Sequence, residues 1–165
     1  MHGGSEVRGV CVGWMAALAL GALVGSASAE DWSVKTVPRA DGVGTRCVLE
    51  SVRQSLSDGY QDTTAYVTVD DRSVAVTSVS TLDASSADIG LAVDQGPLIP
   101  LDRLAGTKTA IFETQYGRLV ERFKAGQRLR AQLRFWPEWP ATGTHSATFS
   151  LIGFTKAYGE LAGCR

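Results

Sequence analysis

Outside the N-terminal residues 1–29, which hold His2 and Cys11, two cysteines, one histidine, scattered carboxylates, a tryptophan-proline run and a row of arginines are the residues that can do chemistry. Cys47 and Cys164 lie toward opposite ends of residues 30–165, with no C-x-x-C spacing between them. In an oxidising compartment the two cysteines left after removal of the N-terminal segment are expected to meet in a disulfide. Cys47–Cys164 is therefore read as a disulfide. His145 stands in the polar stretch Thr142-Gly143-Thr144-His145-Ser146. A lone histidine there reads as an exposed turn residue, because zinc sites and Ser-His-Asp constellations need further groups that converge on it. Asp70-Asp71 reads as the tip of a hairpin, where aspartate is favoured by turn geometry alone. Glu113, Glu121, Glu138 and Glu160 are scattered and form no pair. The residues thus indicate no catalytic, cofactor-binding or metal-ligating set.

Two features suit binding better than catalysis. Trp136-Pro137-Glu138-Trp139-Pro140 holds two tryptophans in a proline-stiffened loop. The usual reading is that they cap one end of a sheet and bury there. The binding alternative is that Trp136 and Trp139 stack on a sugar ring or on a partner's aromatic side chain. Arg128, Arg130 and Arg134 form a row along one strand face. Such a row is usually solvated, and it can also meet an anionic surface.

These groups need elements to hold them. Leu129, Ala131, Leu133 and Phe135 alternate with Arg128, Arg130, Gln132 and Arg134, the pattern of an antiparallel strand with one wet face. Thr64–Val69 and Ser73–Val79 read as two strands joined at Asp70-Asp71. Ile89–Val93 reads as another strand, closed by the turn Asp94-Gln95-Gly96-Pro97. Trp32–Val37 reads as an edge strand, Arg46–Leu56 as a strand with imperfect alternation, and Ser146–Ile152 as the last strand. Tyr116, Leu119, Val120 and Phe123 fall on one helical face, with Gly126 as the stop. Phe154, Ala157, Tyr158 and Leu161 repeat that spacing. About seven strands and two helices predict a mainly β domain: an antiparallel β-sandwich or barrel with one internal helix and a short C-terminal helix.

Val10 to Gly25 is apolar and glycine-rich, and Ala27-Ser28-Ala29 follows as an A-x-A site. Residues 1–29 are therefore expected to be a cleaved signal peptide, with 30–165 as one domain. Lys and Arg total 16 against 17 Asp and Glu, a net charge of −1. That balance argues against nucleic acid as a partner. The expected product is periplasmic or secreted and monomeric, with no membrane span after cleavage.

The stretch Phe149-Ser150-Leu151-Ile152-Gly153-Phe154-Thr155-Lys156-Ala157-Tyr158 resembles the end of the invasion-associated locus B family of bacteria, where a strand steps through "sLxGFxxA" into a last helix. Asp94-Gln95-Gly96-Pro97 is similar to that family's "iDgG" turn, and Leu119 to Gly126 to its "l...lk.G" segment. The extra cysteine pair common in the family has no counterpart in Lys108 to Tyr116. The resemblance implies a small periplasmic or surface-associated β-rich protein and supplies no catalytic residues. The expected function is a non-enzymatic module that binds an envelope protein, a host protein or a glycan. The alternatives are a small envelope hydrolase acting on glycan through a carboxylate near the tryptophans, and a structural envelope protein.

Overall fold

The structure, a computed structural model, describes residues 31–39, 41–137 and 143–164. The expected signal segment and Trp139 lie outside these described residues. Among the described residues eleven strands and two helices form a mainly β fold of two antiparallel sheets, as the alternating pattern predicts.

The larger sheet runs in the order β1 (Trp32–Pro38), β2 (Thr45–Ser51), β4 (Asp62–Val69), β5 (Val74–Ser78), β9 (Thr109–Phe112), β8 (Arg103–Ala105), with β3 (Gln54–Ser57) also paired to β4. The smaller sheet is β11 (His145–Ser150), β10 (Arg128–Leu133), β6 (Gly90–Val93), β7 (Ile99–Pro100). The inward faces meet in one core that includes Leu49, Val67, Leu91, Leu129 and Phe149. A bridge between Leu82 and Phe135 stitches the sheets at one end. Helix α1 (Tyr116–Ala125) buries Leu119, Val120 and Phe123, the residues its spacing selects. Helix α2 (Phe154–Gly163) buries Phe154, Ala157 and Leu161.

Two differences from the sequence expectation have physical causes, and one edge-strand residue has an unusual role. Arg46–Leu56 is not one strand. Glu50 pairs with Thr68 but Gln54 with Ala65, so one extra residue bulges out around Val52-Arg53. The Ser51 hydroxyl fills the gap by accepting the Val67 N–H at 2.9 Å. Strands β7, β8 and β9 fall in a stretch assigned no strand, because each is short and shows no alternation that stands out. Trp32 opens the edge strand but faces inward at 1% exposure. Its Nε1–H donates to the Ser150 carbonyl at 2.8 Å, and its ring meets Phe154 edge-on at 5.0 Å.

The segment resembling the family motif has its own mechanics. Leu151 and Phe154 are buried on either side of Gly153, which caps α2 at φ +83°, a conformation that favours glycine. Gly90 matters for space instead: a Cβ there would lie 2.4 Å from the Ile99 carbonyl oxygen and 2.8 Å from Leu98. Gly90→Ala should therefore force β6 and β7 apart and destabilise the fold by about 1–3 kcal/mol. Urea unfolding measures this, and an unchanged midpoint would contradict the close approach.

Candidate functional site

The strands run between two ends with different chemistry. The β4–β5 turn lies at one end, and the β3–β4 turn and the close of β5 lie at the other. The second end carries the exposed aromatics.

Trp136 is 65% exposed there, so it does not bury as a cap. The alternation of β10 explains this: Phe135 continues the inward set at 2% exposure, and Trp136 takes the next outward place. Its peptide N–H donates to the Thr81 carbonyl at 3.0 Å, and the Trp136–Pro137 peptide is cis. Val79, two residues before Thr81, is 58% exposed. Tyr60, 54% exposed, rides on the Asp58–Gln61 turn. That turn is fixed because Asp58 Oδ1 accepts the Tyr60 and Gln61 N–H groups at 2.9 Å each. The Ser80 hydroxyl ties it to the same end by donating to Asp58 Oδ2 at 2.6 Å. The Ser80 hydroxyl, aided by the turn's N–H groups, keeps the Asp58 carboxyl below its ordinary range. Three exposed apolar side chains, Tyr60, Val79 and Trp136, therefore share one end on hydrogen-bonded supports. The proline-flanked composition of its loop marks Trp136 in the sequence, whereas no local pattern marks Tyr60 or Val79 as sharing that end.

Asp88 stands beside this surface. Arg134 Nε donates to its Oδ2 at 3.1 Å and Thr144 Oγ1 at 2.9 Å. The Ser86 hydroxyl foremost, then Thr144 and Arg134, outweigh partial burial and hold the carboxyl at about 2, against an ordinary 3.8. Asp88 is thus an ionised acceptor across the neutral range, a poor general acid. A depressed folded value stabilises the fold above the unfolded value, and that contribution is lost as pH falls through about 2. Between pH 4 and pH 2 the melting temperature of Asp88→Asn should fall less steeply than that of the native chain. Parallel curves would contradict the assignment.

His145 is not a turn residue. It opens β11, pairs with Leu133, and lies half-buried with its ring 5.7 Å from Phe135. Arg134 of the arginine row is committed to Asp88, while Arg128 and Arg130 are solvated, as a wet strand face predicts.

The opposite end holds the cysteines. Cys47 on β2 and Cys164 after α2 sit at disulfide distance, their Cα atoms 6.1 Å apart and 117 residues apart in sequence. They border a basin of about 770 Å³ that also includes Arg39, Arg46, Arg72 and Arg103. Each of these arginines meets a carboxylate: Arg39 with Asp41 (3.7 Å), Arg46 with Asp70, Arg72 with Asp71 (3.5 Å), and Arg103 with Glu113 (2.7 Å). The basin is charge-balanced and so presents no field for an anionic substrate. Burial works to raise the Asp70 carboxyl, yet the Arg72 and Ser73 N–H groups, Arg46 and the Ser73 hydroxyl together lower it. The Asp70 carbonyl accepts from Tyr116 Oη at 2.7 Å, and Tyr158 Oη lies 2.8 Å from Tyr116 Oη. Tyr116 gives its proton to that carbonyl, so Tyr158 donates to Tyr116. Burial and that contact raise the Tyr116 phenol well above its ordinary range. Asp70, Tyr116 and Tyr158 thus lock the hairpin tip to both helices, a structural role.

Among the described residues no group of His, Cys, Asp or Glu is placed to hold a metal ion, and no helix is long and apolar enough to cross a membrane. No known protein family, curated protein or solved structure matches the chain.

Proposed function

We propose that this chain is an exported, non-enzymatic binding module of the periplasm or cell surface, similar in kind to the invasion-associated locus B proteins, with Trp136 at the centre of its contact surface. The observation that carries the reading is the exposure of Trp136. The other described tryptophan, Trp32, is buried, so the fold accommodates a tryptophan where packing asks for one. A large ring left in water on a hydrogen-bonded support is the kind of anchor that binding surfaces use. Tyr60 and Val79 are exposed at the same end. The cysteine pair supports export, because an exposed disulfide persists in oxidising compartments. The commitment of Asp88 to Arg134, Ser86 and Thr144 favours binding over glycan hydrolysis.

Capture from envelope extract tests this. The native domain should enrich a partner that Trp136→Ala loses, with melting temperature unchanged because the ring is exposed. An identical partner set for the two proteins would remove the contact surface.

A further inference from the structure

We infer that the outer stripe of β10 is a track for a polyanionic polysaccharide, whose acidic groups meet Arg128 and Arg130 and one of whose sugar faces stacks on Trp136. The inference rests on the Trp136 contact surface proposed above and names its ligand class. Alternate residues of a strand share a face, so Arg128, Arg130 and Gln132 line the outer face of β10, and Arg134 and Trp136 continue that parity past the strand's end at Leu133. Burial confirms the parity, since Leu129, Ala131, Leu133 and Phe135 between them are all buried.

The members of the line do different work. Arg134 and Gln132 hold the neighbouring loop: Arg134 binds the Asp88 carboxylate, and Gln132 Nε2 donates to the Asp88 carbonyl at 2.8 Å. Arg128 and Arg130 are exposed and meet no carboxylate among the described residues. Across the ladder stand Ser150 opposite Arg128 and Thr148 opposite Arg130, hydroxyls that cannot neutralise a guanidinium. Asp88 is the carboxylate beside the far half of the track, and Arg134 already compensates it. Asp94, at the near end, accepts from the Gln127 and Arg128 backbone N–H groups and makes its contact with Arg128 through the main chain, not the guanidinium. The stripe therefore offers two exposed planar cations outside any ion pair among the described residues, flanking hydroxyls and one terminal aromatic ring.

That set matches a charged sugar chain. Guanidinium forks bind carboxylate, sulfate or phosphate in bidentate fashion, hydroxyls exchange hydrogen bonds with sugar hydroxyls, and an indole takes the apolar face of a ring. A folded protein partner would call for an apolar patch along the track, and a bilayer would call for apolar side chains beside the cations. Between Arg128 and Trp136 the outward places hold Arg130, Gln132 and Arg134, and the exposed apolar side chains, Ile152 beyond Ser150 and Trp136 itself, stand only at its two ends.

The test titrates the native domain with dextran sulfate, neutral dextran of equal length and phosphatidylglycerol vesicles. Dextran sulfate should bind best and weaken as salt rises. The pair Arg128→Gln and Arg130→Gln should weaken it about tenfold or more, the loss of two charge-assisted contacts. Trp136→Ala should weaken both dextrans. The basin pair Arg39→Gln and Arg72→Gln should change neither. Equal dextran sulfate affinity in the β10 pair, no dextran sulfate binding, or binding to vesicles alone would overturn the inference. If envelope capture still depends on Trp136 while dextran sulfate ignores the β10 pair, the track falls and the Trp136 contact surface stands.

Discussion

Replacing Cys47 and Cys164 together by serine should lower the unfolding free energy by about 4–5 kcal/mol, the loop-closure entropy expected of a bridge that encloses more than a hundred residues. The bridge spans 117 positions and joins β2 to the residue that caps α2. Every element between them is held inside that loop in the unfolded chain, so the loss acts chiefly on the denatured state. The denatured chain without the bridge is more expanded, so the urea dependence should steepen as the midpoint falls. Urea unfolding of the oxidised native domain against the double serine variant measures both. A loss under about 1 kcal/mol would show that the pair does not staple the fold.

Trp32→Ala should cost about 3–5 kcal/mol, the range for truncating a buried aromatic. Trp32 anchors an edge strand to the rest of the core through Phe123 and Phe154, and it bonds the last residue of β11 from the first residue of β1. Its loss opens a cavity and leaves the Ser150 carbonyl without that donor. Trp32→Phe separates the two effects in part, since it keeps a six-membered ring in the core and removes the N–H with a smaller loss of volume than alanine, for about 1–2 kcal/mol. Equal losses in the two variants would assign the whole role to the hydrogen bond. Either Trp32→Ala or loss of the bridge removes a large share of a domain's usual stability of about 5–15 kcal/mol.

The elements whose pattern is strong were legible in the sequence. The alternation around Leu129–Phe135 and the helical spacing of Leu119, Val120 and Phe123 match β10 and α1. Hairpin β4–β5 forms where its β-branched runs and Asp70-Asp71 point. Strands of two to four residues such as β7, β8 and β9 exist only because a neighbour's ladder completes them, so no local pattern announces them. The bulge at Val52-Arg53 is visible only once β4 provides a register to slip against. His145 looked like a turn residue because its neighbours are polar, yet its pairing with Leu133 turns it inward. At the candidate site Trp136 could be named from its loop. Its exposure depends on tertiary parity along β10, and its proximity to Tyr60 and Val79 depends on how the strand ends are gathered.

The central claim is that an exposed aromatic ring at position 136 makes contact with a partner. The most direct measurement is the affinity of the purified domain for the partner it captures, compared across native, Trp136→Phe and Trp136→Ala proteins. Trp136→Phe should keep affinity within a few-fold while Trp136→Ala loses about tenfold or more, the scale of a buried aromatic anchor. Equal affinity in all three proteins would contradict it.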